Sequence, residues 1–82
     1  MILRKKSREP SVIVTFHTTA EAMETERTCQ KRGVPGRLVS APRELTSDCG
    51  IAWVSPAGSE DALRATIREA GIAVDAFYRM EY

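Results

Sequence analysis

Val12-Ile13-Val14-Thr15-Phe16-His17-Thr18-Thr19-Ala20-Glu21 holds a strand, a short polar break and the start of a helix. Residues 12–16 are β-branched or aromatic, the composition of a strand. The run is almost continuously apolar rather than alternating, which predicts a central strand with both faces partly covered. Thr18 and Glu21 stand three apart in the capping-box pattern, so a helix opens here. Gly33 supplies its stop, and Pro35 follows.

Outward from this stretch the remaining elements fall into place. In the first helix Ala22, Met23 and Cys29 form the expected inward stripe, with Glu24, Arg27, Gln30 and Lys31 facing water. Residues 37–40 read as a second strand, and 41–48, with Pro42 and clustered polar residues, as a loop. Residues 49–54 form a third strand, broken by Ser55-Pro56-Ala57-Gly58. Ser59 is placed to cap a second helix whose first turn carries Glu60 and Asp61, the sign the helix dipole favours. Leu63, Thr66, Ile67 and Ala70 give its buried face, Gly71 ends it, and residues 73–80 are the last strand. The order is β-α-β-β-α-β. The class is therefore α+β, with two layers and both helices on one sheet face. Right-handed crossovers then favour a ferredoxin-like split βαβ arrangement with strand order 4-1-3-2.

Composition sets the outer limits. Eighty-two residues make one domain, and 43% hydrophobic with 28% charged residues describes a globular chain rather than a disordered one. No stretch approaches the roughly 20 apolar residues that span a bilayer. Basic residues near Met1 are not followed by an apolar run, so no secretory signal is read and the expected location is cytoplasmic. The net charge of +1 is unevenly spread. Residues 1–10 hold Arg4, Lys5, Lys6 and Arg8 against Glu9, and read as a basic disordered arm before a single domain at 11–82. That domain is slightly acidic and lacks the broad basic face that nucleic-acid backbones need. Cys29 and Cys49 form no Cys-x-x-Cys pair, and with one histidine no four-ligand Cys/His zinc site can be assembled. No metal or cofactor is expected.

Chemistry concentrates at one edge of the predicted sheet. Strands one and two run parallel with strand three returning between them. His17, Thr18 and Thr19 therefore meet Arg43, Ser47, Asp48 and Cys49. A thiol reacts as the thiolate, whose formation a helix start, an arginine and a histidine all favour. Gly50 beside the sulfur allows close approach of a ligand or partner backbone. The plainer alternative makes Cys49 a small hydrophobe opening a strand. Cys29 reads as core, while His17 and Arg43 have equally ordinary readings as surface residues. Trp53, Phe77 and Tyr78 read as core, ligand stack or dimer face. Phosphate loops, paired catalytic carboxylates, a Ser-His-Asp order and the strand-three signature of RNA-recognition domains are all missing.

Three segments carry a family resemblance: Val14-Thr15-Phe16-His17-Thr18-Thr19 with Glu21-Ala22-Met23; Gly33-Val34-Pro35-Gly36-Arg37-Leu38-Val39; and Pro42-Arg43-x-Leu45-Thr46-x-x-Cys49-Gly50-Ile51-Ala52. Together they resemble the small bacterial family of selenium/sulfur carrier-like proteins, a domain family of unknown function found mainly in anaerobes. The resemblance covers residues 12 to about 80, and its most specific element is the Pro-Arg…Cys-Gly loop. It implies that Pro42 and Arg43 shape the loop and that Cys49 and Gly50 form its working end. Cys49 would carry sulfur or selenium as a persulfide or selenosulfide, between donor and acceptor proteins, with His17, Thr18 and Arg43 in support. Such a protein is a carrier rather than a turnover catalyst. The rival reading is a regulatory or binding module acting through its sheet face, with Trp53, Phe77 or Tyr78 at the interface and pairing of two copies allowed. A third is a redox-sensing thiol.

Overall fold

Alternation along the first strand sorts the apolar residues between two sides of a sheet, and only one side carries helices. The computed structural model describes residues 9–45 and 48–82. Its elements are β1 (Pro10–Thr15), α1 (Thr19–Arg32), β2 (Arg37–Ser40), β3 (Ile51–Pro56), a 3-10 turn (Ala57–Ser59), α2 (Glu60–Ala70) and β4 (Ala76–Glu81). The sheet order is β2-β3-β1-β4, which is the expected 4-1-3-2 read from the other edge. Each neighbouring pair is antiparallel. The class is thus α+β with an open four-stranded sheet. Residues 1–8 of the basic arm lie outside the described residues. Glu9 and Pro10 do not behave as arm: Glu9 and Tyr82 exchange backbone hydrogen bonds of 3.3 and 3.0 Å, and Pro10 opens β1. A proline is tolerated at a strand's first residue.

Val12, Val14 and Phe16 point to the helices and pack with Ala22, Cys29, Trp53, Leu63 and Ile67. Ile13 points the other way, against Ala52 and Val54, with Val39, Ala41, Leu45, Tyr78 and Met80 around them. Both sides of β1 are apolar because each faces its own cluster, which explains the unbroken run.

The capping box of α1 forms as expected. Thr18 Oγ1 accepts from Glu21 N at 3.2 Å, and Glu21 Oε1 accepts from Thr18 N at 3.3 Å. Gly33 closes the helix at φ 76°, the left-handed region, where Val34 N donates to Cys29 O at 2.9 Å. The expected inward stripe needs a correction. Met23 is 53% exposed, and Thr25 is buried in its place. Ala22 and Cys29 fix the inward direction, and position 25 lies between them at helical spacing, whereas 23 is rotated about 100° away. In α2 Leu63, Thr66 and Ile67 are buried, but Ala70 is exposed. The chain turns at Gly71, so Ile72 takes the inward place, its N–H donating to Ile67 O at 3.1 Å. Ser59 makes no side-chain cap; the preceding 3-10 turn satisfies Glu60 N through Ala57 O instead.

Strand limits also shift. β3 begins at Ile51 rather than Cys49, because Gly50 at φ 77° interrupts the extended backbone, and it runs on through Pro56. β4 begins at Ala76 rather than Ala73. Before it, Asp75 N donates to Thr15 O at 2.8 Å while Thr15 Oγ1 donates to Asp75 Oδ2 at 3.1 Å.

The aromatic residues divide between the two sides. Trp53 is 1% exposed in the helix-side core, where Nε1 donates to Ser55 Oγ at 2.8 Å and that hydroxyl donates to Pro35 O at 2.7 Å. It therefore lines no interface. Phe77 also faces the helices, with the Arg64 guanidinium 4.0 Å from its ring centroid. Of the three aromatics weighed for a sheet-face interface, only Tyr78 lies on the helix-free side. Across the outside of α2, Glu60 accepts from Arg64 Nε at 2.8 Å and from Arg79 Nε and Nη2 at 2.8 and 3.0 Å.

Gly36 explains why the turn into β2 is closed around glycine. A Cβ there would stand 2.5 Å from both the Trp53 ring and Val54 O, at a φ of 156°. Gly36→Ala is expected to lose about 2 to 3 kcal/mol in urea unfolding, because neither the indole nor the strand carbonyl can move aside. A second expectation concerns pH. Hydrogen bonds from Arg79 and then Arg64 hold the Glu60 carboxyl at about 2, below its ordinary 4.5. A depressed folded value adds stability that is fully present above about 4.5 and is lost as pH falls towards about 2. Thermal unfolding of wild type and Glu60→Gln between neutral pH and pH 2 should converge as the pH drops.

Candidate functional site

β1 and β2 both lie antiparallel to strands running from the loop edge, so they end at the same edge, where α1 begins and β3 starts. The loop 41–50 closes there. Ala41 N donates to Gly50 O at 3.0 Å across its base, opposite the last β2–β3 pair, Ser40 and Ile51. Inside it Leu45 N donates to Pro42 O at 2.9 Å, a turn with Arg43 and Glu44 at its exposed tip. Leu45 and Ala41 pack on the helix-free cluster, whereas Cys49 packs against the helix-side cluster. The loop thus straddles the sheet edge, one anchor on each face. Thr46 and Ser47 lie outside the described residues.

Cys49 is half-buried, and its Sγ donates to Ile51 O at 3.5 Å. That bond needs the S–H proton; a thiolate has none to give to the carbonyl. Gly50, at φ 77°, has open space where a Cβ would stand. Its place in the sequence follows from backbone conformation first, since a left-handed turn here favours glycine.

His17 reaches the loop as the topology predicts, though through Asp48: Nδ1 stands 3.5 Å from Asp48 Oδ2. With the side chains 50% and 69% exposed, such a pair contributes at most about 1 kcal/mol. It ties the β1–α1 junction to the residue preceding the thiol. Thr18 is occupied by the helix cap. The backbone N–H groups of His17 and Thr18 both donate to Glu21 Oε1, at 2.9 and 3.3 Å. Arg43 makes no hydrogen bond or ion pair among the described residues. Its side chain is exposed at the loop tip.

The structure therefore gathers His17, Asp48, Cys49 and Gly50, holds Thr18 one residue away in the cap, and places Pro42 and Arg43 in the outer turn of the same loop. Leu45 as the loop's anchor and Ile51 O as the thiol's partner were not foreseen. The signal for Leu45 was present, as an apolar residue alone in a polar stretch. Among the described residues no group of three or more His, Cys, Asp or Glu side chains is placed to hold a metal ion. No helix among them is long and apolar enough to cross a membrane.

Residues 11–79 match the family model described as "Putative Se/S carrier protein-like". The chain belongs to this family. No curated protein and no solved structure matches it. The matched span includes both helices and the entire 41–50 loop, so the family's defining region in this Se/S carrier-like chain contains both cysteines. Their environments differ. Cys29 is fully buried, and burial pushes its thiol up to about 11. Cys49 is partly accessible at a loop. Native protein treated with iodoacetamide at mildly alkaline pH should gain one carbamidomethyl group, on Cys49, with Cys29 modified only after denaturation. Intact mass and peptide mapping read this directly.

Proposed function

We propose that this protein is a sulfur or selenium carrier whose cargo is held on Cys49. Membership of the Se/S carrier-like family carries the proposal, and the half-buried loop thiol beside Gly50 gives it a chemical location. The antiparallel strand order with two helices on one face supports grouping the chain with ferredoxin-like domains, a scaffold on which function is set by local sites.

The transfer step is thiol–sulfur exchange. The Cys49 thiolate attacks the terminal sulfur of a persulfide on a donor protein. A new S–S bond forms at Cys49 as the donor's S–S bond breaks, and the donor leaves as its thiolate. The proton released by Cys49 goes to solvent. The sulfur moves at the same oxidation level, so no external oxidant or reductant enters; selenium moves the same way from a donor perselenide. Release repeats the exchange, with an acceptor nucleophile attacking the terminal atom.

Loading turns the sulfur from Ile51 O towards solvent. Open space at Gly50 gives room for that turn and for the partner's backbone. Arg43, exposed at the loop tip, supplies positive charge for the anionic terminal atom. His17, held by Asp48, keeps the segment before Cys49 against the β1–α1 junction. Pro42 sets the turn that carries Arg43, and Thr18 fixes the helix start behind His17. The donor and acceptor proteins meet this loop edge in the cytoplasm, where both cysteines stay reduced.

Transfer of labelled sulfur from a persulfide donor to an acceptor thiol tests the reading. Cys49→Ser should abolish carrier-dependent transfer and Cys29→Ser should preserve it, while Arg43→Ala should slow it about tenfold, the value of one charge-assisted contact. Transfer by Cys49→Ser at the wild-type rate would exclude the carrier role.

A further inference from the structure

A second feature lies at the opposite edge of the sheet, a full strand length, roughly 17–20 Å, from the Cys49 loop. There β1 and β2 begin, β3 ends and Tyr82 follows β4. They enclose a half-open cavity of about 210 Å³. It is smaller than the roughly 300 Å³ at which drug-sized ligand pockets begin, so a ligand here must be small.

The walls carry opposite charges that do not meet. Arg37 and Glu9 both line the cavity, both are exposed, and neither makes an ion pair among the described residues. The Arg37 guanidinium is held 5.8 Å from the Tyr82 ring centroid, which orients its charge and supplies an apolar wall. The lining also includes Ser11, whose hydroxyl is buried. Ser11 Oγ donates to Glu9 O at 2.9 Å and keeps lone pairs free to accept. Ser55 lines the cavity as well, but its Oγ turns to the helix side, where it takes the Trp53 indole N–H. None of these residues belongs to the loop around Cys49.

From this arrangement we propose that the cavity binds a small free α-amino acid. The ligand's carboxylate sits on Arg37 through two parallel N–H donors. Its ammonium group lies between the Glu9 carboxylate and Ser11 Oγ, and its side chain faces Tyr82. A simple anion leaves Glu9 unanswered, and a simple amine leaves Arg37 so; a zwitterion of this size answers both. The site is independent of the carrier reading.

L-serine is the probe, titrated into isotope-labelled protein followed by amide chemical shifts, with acetate and ethylammonium as single-charge controls. The expected result is a saturable shift at Ser11, Gly36 and Ser55 in the millimolar range, weakened about tenfold by either Arg37→Gln or Glu9→Gln and absent with both controls. Both substituted residues are exposed, and circular dichroism confirms that each variant folds. Absence of saturable shifts at these amides, binding unaltered in the two variants, or acetate binding as well as serine would each overturn the assignment.

Discussion

The antiparallel pairing of β1 with β3 sets Val14 opposite Trp53 and Thr15 opposite Ala52, and the rest of the molecule depends on that register. A slip of one residue would turn Trp53 out of the helix-side core and bring Ala52 in, exchanging the contents of both clusters. The same pairing fixes where the chain goes next. β1 ends where β3 begins, so the β1–α1 junction and the 41–50 loop share an edge, and His17 comes within 3.5 Å of Asp48. The meeting of groups around Cys49 is a consequence of strand order before it is a property of any side chain.

Sequence disclosed the fold wherever a local signal and the tertiary demand agreed. Thr18 with Glu21, Gly33 and Gly71 mark helix ends through backbone chemistry, and each stands where it was expected. The order of elements then left few ways to close a sheet. Misreadings came where several residues were equally suited. Met23 looks more buried than Thr25 by composition, yet helix rotation set by Ala22 and Cys29 puts the threonine inside, its Oγ1 without a hydrogen-bond partner among the described residues. Ser59 has the chemistry of a cap, but it closes a 3-10 turn that already satisfies the Glu60 N–H through Ala57 O. Trp53 could have faced either side of a strand; its place was decided by Gly36, Ser55 and Pro35, which no pattern in β3 announces.

The candidate site was legible as a place more than as a mechanism. Topology and residue type brought His17 and Cys49 to one edge. What escaped the sequence was the local competition for partners. Glu21 claims the N–H groups of His17 and Thr18, Asp48 claims the imidazole, and the thiol faces a carbonyl two residues along its own chain. Such choices depend on tenths of an ångström in a loop, and residue identity does not encode them. They also give the site its character: a half-buried sulfur turned towards Ile51 O, with an arginine outside it that makes no ion pair among the described residues. Under the proposed carrier role, a loaded sulfur would give up Ile51 O and take the room beside Gly50.

Intact mass of the Cys29→Ser protein, after exposure to a persulfide donor and removal of excess reagent, tests this account most directly. The account predicts a gain of one sulfur atom per chain, lost on treatment with a reducing thiol and missing when Cys49 is also replaced by serine. A chain that gains no sulfur, or gains it equally without Cys49, would contradict it.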